Sequence, residues 1–381
     1  MRTLTRVTAV ALALATAALL CAAAAARADI ADSQASPRVS YISLAKRGLH
    51  AARTRFWNRG RGWYENALRP NPVCPLATVW GSVGLFEAID AVAIAEPTPR
   101  HRDAVRWFAS TAERYWAAAV GPTGAYAAYP DSTATRAYFD DNGWWGLAFV
   151  DAYVATRDLR YLADAARALR FLDVRGWDGE RGMLWNTWSR EHSLATFASA
   201  TALAAELYEY TGRATYRRMA RAYLAWGDAH AMARSGLYAT AERPATTYVQ
   251  GALIGAALSL CRRGDRAACA RAEQLASAAA AHWEGGPYHG PQFDAILFRN
   301  LIRLSDRDGD PRWYDWAQRA AADAAANARE HGLYLRFWDG TRSAAHGHGS
   351  RARQQFAHGM LQIHASTVSL FAWLAAVDRP G

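Results

Sequence analysis

Apolar residues recur at helical spacing along almost the whole chain. Leu162, Ala165, Leu169 and Leu172 form one such face, and Trp313, Trp316, Ala320 and Ala324 form another. Strand-like alternation is nearly absent. The pattern predicts twelve helical segments, near 40–56, 77–95, 101–119, 142–156, 159–174, 192–211, 214–231, 247–262, 267–283, 291–305, 311–330 and 356–377. The links between them alternate in kind. Those after the even segments are short and polar: EPTPR, TRDL, TGRA, RRGD and RDGD. Those after the odd segments are mostly long, as in RGWDGERGMLWNTWSRE. Short links join antiparallel neighbours, so every long link emerges at the same end of the stack. Six helical hairpins of this kind close into an all-α (α/α)6 toroid or stack into an open superhelix. Closure is favoured, because the last segment, with Phe356, Leu361, Ile363, Val368, Leu370 and Phe371, is as apolar as the interior ones and does not read as a polar cap.

With 381 residues, 51% of them hydrophobic, the chain is ample for a sizeable core. The first 28 residues stand apart. Arg2 and Arg6 precede an Ala-rich apolar run from Val7 to Ala26, and Ala26-Arg27-Ala28 offers a small-x-small cleavage site. That is the pattern of a secretory signal peptide, so residues 29–381 are expected as a single exported domain with no membrane span and no dividing linker. The formal net charge is +10, and loss of Arg2, Arg6 and Arg27 leaves 10 − 3 = +7. Lys46 is the sole lysine, and the arginines are scattered among acids, so no basic stripe points to nucleic acid. A monomer is expected. Export permits disulfides. Cys261 and Cys269 flank a turn and are placed to staple two helix ends; three reduced cysteines, Cys74 included, is the equal alternative.

The long links gather tryptophan and tyrosine at one end of the predicted toroid. Their flat faces suit sugar rings, whose C–H groups stack while their hydroxyls need polar partners. Trp107, Trp116, Trp226 and Trp316 lie in helical pattern and read as core. Trp63, Trp185, Trp188 and Trp338 lie in long links, where sugar stacking and loop packing are both open. Against this aromatic background stands YFDDNGWWGL, residues 138–147. A single aspartate at a helix start is an ordinary cap. Two in succession, followed at once by Trp144 and Trp145, fit the pair of carboxyl groups needed for glycosidic cleavage: one attacks the anomeric carbon and one protonates the leaving oxygen. At the entry to a helix, where the first of them has non-helical backbone angles, Asp140 and Asp141 can share a target. The helix N-terminus favours an ionised carboxylate, while an apolar wall such as Trp144 or Trp145 and the neighbouring charge raise the other's pKa.

The segment YFDDNGWWGLAFVDAY resembles the acidic motif of glycoside hydrolase family 76, which comprises bacterial endo-α-1,6-mannanases and fungal cell-wall relatives. Thr78 to Trp80, Leu184-Trp185-Asn186, Thr247-Tyr248-Val249-Gln250-Gly251 and Phe293 to Leu301 follow in the order that resemblance expects. The resemblance implies an (α/α)6 fold and retaining hydrolysis of α-1,6-mannosidic links, with Asp140 as nucleophile and Asp141 as general acid/base. It implies an α-mannan-like substrate and no cofactor. Tyr248 and Gln250 match a Tyr-x-Gln-Gly signature and are candidate sugar contacts, as are Trp145 and Trp185. Asn142 either binds a sugar hydroxyl or orients an aspartate. The chain departs from the pattern at Val249, where asparagine is common, and at Ala239, where an aspartate often stands.

Two other readings share these residues: transglycosylation with a sugar as acceptor, and a glycan-binding protein without turnover. A metal site is not expected. DDxxD-type Mg²⁺ binding lacks its last ligand, since Trp144 holds that position. His346 and His348 fall in a Gly-rich tract that reads as a loop, and His358 and His364 are six apart, off a shared helical face.

Overall fold

The computed structural model describes residues 37–131, 133–286, 289–341 and 359–380. The expected signal peptide and its cleavage site at Ala28, together with His346, His348 and His358, lie outside the described residues. Contacts divide the chain into two units, 1–41 and 42–381. Only the start of the first helix is described in the former.

Among the described residues there are twelve long helices: α1 (Pro37–Phe56), α2 (Val79–Ala95), α3 (Pro99–Ala112), α4 (Phe139–Thr156), α5 (Leu159–Phe171), α6 (Leu194–Thr211), α7 (Ala214–His230), α8 (Thr247–Arg262), α9 (Arg266–Trp283), α10 (Pro291–Asp308), α11 (Pro311–Asn327) and α12 (Leu361–Ala376). The even-numbered helices form an inner ring. Each packs on the next, and α12 packs on α2, so the ring is closed. This is the (α/α)6 toroid, and the open superhelix is excluded.

Sequence explains which helices lie inside. In α8 every residue from Thr247 to Cys261 is buried, and in α12 every residue from Leu361 to Ala375. In α7 only Ala220, Tyr223 and Gly227 are buried, as expected of an outer helix covered on one face. Small residues set the inner spacing. A Cβ on Gly251 would stand 2.6 Å from the Leu297 backbone, so α8 and α10 meet main chain to main chain.

The links hold what periodicity did not reveal. Four of them carry two-stranded antiparallel ribbons: β1 (Trp57–Asn58) with β2 (Trp63–Tyr64), β3 (Trp116–Ala117) with β4 (Ala125–Tyr126), β5 (Trp177–Asp178) with β6 (Gly182–Met183), and β7 (Arg329–Glu330) with β8 (Leu333–Tyr334). A glycine of positive φ starts or precedes the returning strand each time: Gly62, Gly124, Gly182 and Gly332. Gly236 does the same before Leu237 and Tyr238. At two-residue length no alternation is legible, so these ribbons were invisible to the hydrophobic pattern. The third helix also ends at Ala112 rather than near 119, and Trp116 lies in β3, its ring against Gly124. The disulfide alternative is the one realised: Cys261 at the end of α8 is bonded to Cys269 in the first turn of α9. Cys74 is free. Among the described residues no helix is long and apolar enough to cross a membrane.

Candidate active site

The site forms where the N-termini of the inner helices converge. Trp80, Asp140, Ala195 and Tyr248 are each the second residue of their inner helix, and all four line one cleft. Thr246, Thr247, His289 and Phe293 complete it, enclosing about 330 Å³. Two residues further along a helix the direction has turned by about 200°, so fourth-position side chains face away from the axis. There they anchor the links. Asn142 donates to the Tyr126 and Tyr138 carbonyls (2.9 and 2.8 Å) and accepts from the Tyr126 amide (2.8 Å). Gln250 makes the same double bond to the backbone of Tyr238, at 2.9 Å each way. His364 accepts from the Tyr334 amide at 3.3 Å.

These placements correct three sequence expectations. Asn142 and Gln250 are both fully buried with their amide groups bonded to backbone, so neither reaches a sugar. Of the two readings left open for Asn142, a sugar hydroxyl or an aspartate to orient, its bonds show neither: they go to the backbone of Tyr126 and Tyr138. Trp145 is also fully buried, packed on Phe86, Tyr115 and Phe149. It is the preceding Trp144 that faces the cleft side: its indole donates to the Tyr248 hydroxyl, and its ring lies 6.1 Å from that of Trp80. One residue of helix, about 100°, separates the two indoles.

The acidic pair is also placed differently from expectation. The fourth helix begins at Phe139, not near 142, so Asp140 and Asp141 are its second and third residues. Tyr138, extended and without a capping side chain, precedes them. The Phe139 amide is taken by the Trp185 carbonyl (2.9 Å), which fixes the entry and leaves first-turn amides facing the carboxylates. Both groups are withdrawn from water. Asp141 is 7% exposed, and Asp140 has one carboxylate oxygen buried without a hydrogen-bond partner. Burial pushes the Asp140 carboxyl up to about 6, while the amides of Asp140 and Asp141 and the Trp185 indole act in the opposite direction. Asp141 is raised well above the usual carboxylate range, by burial and then by the charge of Asp140. The surroundings thus raise Asp141 further than Asp140, which favours Asp141 as the proton holder of the pair.

The rim is aromatic. Trp185 is 37% exposed, with its ring 5.4 Å from Tyr138, and Trp188 stands edge-on to Tyr138 at 4.7 Å. Trp63 and Trp338 resolve the other way: both are fully buried, their indoles donating to the Tyr115 hydroxyl (2.8 Å) and the Thr367 hydroxyl (2.9 Å). Trp107, read as core, is 43% exposed. Tyr248 keeps its phenolic proton, since burial and then the charge of Asp140 raise it well above the usual range.

His289 is the wall residue that sequence reasoning passed over. Its backbone amide and that of Gly290 donate to the Asp294 carboxylate at 2.9 Å each, and Thr247 donates to the same carboxylate at 2.8 Å. The pairing of Asp294 in α10 with Thr247 in α8 has no local sequence signal. Among the described residues no three histidine, cysteine or acidic side chains cluster as a metal site.

Comparison with known proteins agrees with this geometry. The model of glycosyl hydrolase family 76 matches residues 108–286. No curated protein matches the chain. Among solved structures, a family 76 α-mannanase of Bacteroides thetaiotaomicron superposes with a TM-score of 0.75 at 20% identity, over 88% of this chain and 95% of that one. An α-1,6-mannanase of Salegentibacter sp., solved as an inactive variant lacking two consecutive aspartates and in complex with an α-1,6-linked mannotetraose, gives 0.69 at 16% identity, over 89% and 99%. A cellobiose 2-epimerase of Spirochaeta thermophila gives 0.62 at 15% identity, over 90% and 98%. The resemblance to glycoside hydrolase family 76 is borne out, in sequence over residues 108–286 and in fold over most of the chain.

Proposed function

We propose that the chain is a secreted, single-domain glycoside hydrolase that cleaves α-1,6-mannosidic linkages in mannan or mannose-containing surface glycans by a retaining two-carboxylate mechanism. The observation that carries this reading is the acidic pair itself: adjacent carboxyls at an inner-helix N-terminus, one lining an aromatic cleft, with their proton affinities driven apart by surroundings. The family match and the ligand of the Salegentibacter relative support the sugar and the linkage. The fold does not carry the chemistry, since an epimerase shares it.

In this mechanism the sugar enters against Trp80, Tyr248 and Phe293, with Trp185 at the rim. Asp140, ionised above about pH 6, attacks the anomeric carbon. Asp141 delivers its proton to the glycosidic oxygen as the bond breaks. A water then enters, loses its proton to Asp141 and attacks the anomeric carbon of the glycosyl-enzyme, so configuration is retained through two inversions. Tyr248 is a hydroxyl donor beside Asp140, suited to a sugar hydroxyl or the developing charge.

Asp140→Ala and Asp141→Ala should each lower turnover of α-1,6-mannan by about a thousandfold or more with the helical circular dichroism unchanged. With azide as nucleophile, the Asp141 variant should release the α-glycosyl azide and the Asp140 variant the β-anomer. Wild-type activity in either variant, or release of an epimerised disaccharide in place of mannose oligomers, would remove the assignment.

A further inference from the structure

At the end of the toroid opposite the aromatic cleft, a second cavity of about 400 Å³ opens between α7 and the link from α8 to α9. Its walls carry four arginines, Arg217, Arg221, Arg263 and Arg266, against one acid, Asp265. Asp265 is already committed: it pairs with Arg221 at 2.7 Å and caps α9 through the Ala268 amide at 3.2 Å. Among the described residues, Arg217, Arg263 and Arg266 have no acidic partner. Other arginines of the fold do pair with acids, as in Arg167 with Glu113, Arg160 with Asp158 and Arg379 with Asp315. Three guanidiniums without an acidic partner around one concavity repel one another, and among the described residues Asp265 is the one acid in its wall.

We propose that this cavity binds a phosphate group carried on a carbohydrate. Guanidinium forks match phosphate oxygens two at a time, and arginine is the side chain suited to that geometry. The first turn of α9 adds the positive end of a helix dipole to the same side. A bare phosphate leaves most of 400 Å³ unfilled. The remaining wall includes Tyr208, over whose ring the Arg263 guanidinium lies at 5.3 Å, and Leu260, so that apolar and aromatic surface adjoins the arginines. The site lies on the short links, with no residue in common with the aromatic cleft. It stands or falls independently of hydrolysis.

Titration calorimetry of the full chain tests this with inorganic phosphate, a hexose 6-phosphate and the unphosphorylated hexose. The hexose phosphate should bind with a dissociation constant of about 1 mM or tighter. That affinity should fall about tenfold or more in Arg217→Ala/Arg263→Ala, and it should weaken with added salt. The exposed arginines Arg100 and Arg170 supply the control for general positive charge: Arg100→Ala/Arg170→Ala should leave binding unchanged. Hydrolysis of neutral mannan should be the same in both variants. Free phosphate binding as tightly as the sugar phosphate, with the same variant dependence, assigns the site to the ion alone. Equal losses in the two double variants, or no heat from any phosphate at about 10 mM, would overturn the proposal.

Discussion

Asp140 and Asp141 differ by one position in sequence and by about 100° around a helix, and that rotation separates their environments. Asp140 opens onto the cleft and faces first-turn amides and the Trp185 indole. Asp141 sits deeper, without such donors, and carries the penalty of burial together with its neighbour's charge. The pH profile of kcat/KM follows from the signs. Below about pH 6 Asp140 is protonated and cannot attack, so activity should rise as pH increases through about 6. Asp141 must keep its proton, so a descending limb should lie at higher pH. Removing the indole in Trp185→Leu should move the ascending limb to higher pH, because one of the groups favouring the ionised form is lost. An unmoved limb in that variant, measured on a soluble mannooligosaccharide, would separate Trp185 from the pair. The doublet itself was legible as a motif. That two such carboxyls need unequal surroundings was legible too; which residues supply those surroundings was not, because the helix begins three residues earlier than its apolar spacing indicates.

Helices α4 and α8 repeat one device: the second residue faces the cleft and the fourth grips the preceding link. Asn142 and Gln250 lie four residues into α4 and α8 and hold Tyr126 and Tyr238 by paired backbone bonds. From sequence alone they read as polar residues next to a site. Only the phase of the helix, set by where its first turn starts, decides that they face away from it. Helix existence was readable because the apolar spacing recurs over many turns. The ribbons and the cross-link pairings were not, because two-residue strands have no period and their partners come from distant segments. Asn142→Ala should cost about 1–3 kcal/mol, since it strands the Tyr126 amide and carbonyl in a buried place. It should also lower kcat more than it raises KM, because it loosens the turn that carries Asp140 without touching substrate. Thermal unfolding and steady-state kinetics on one preparation check both parts. Gln250→Ala should match it in stability loss.

Across the whole toroid, the inner ring is tied by charge as well as by apolar packing. Arg299 of α10 bonds Glu87 of α2 at 3.0 Å and Asp151 of α4 at 2.7 Å. Arg303 bonds Glu206 of α6, and Arg262 of α8 reaches Glu209 at 3.3 Å. Ser369 of α12 donates to Glu87 at 3.4 Å, so all six inner helices share one network. Its acids outnumber its cations. Glu87, Asp90, Asp151, Glu206, Glu209 and Asp306 face Arg262, Arg299 and Arg303, an excess that favours retained protons on the buried acids. Burial raises Asp151 to about 8 and holds Asp90, neither of whose oxygens has a partner, well above the usual range. A carboxyl raised in the folded state binds a proton that the unfolded chain releases above about pH 4, so each such group lowers stability as pH rises beyond that point. Asp90→Asn removes that dependence while keeping the volume. The variant should match the wild type near pH 4 and exceed it by about 1–3 kcal/mol at neutral pH, measured by denaturant unfolding across the range. Arg299→Met should act in the opposite direction, costing about 3–5 kcal/mol by leaving Glu87 without its cation and Asp151 without its hydrogen-bond donor. If Asp90→Asn instead destabilised the protein equally at pH 4 and pH 7, Asp90 would be ionised and paired in the native ring, and the retained-proton account of the network would fail.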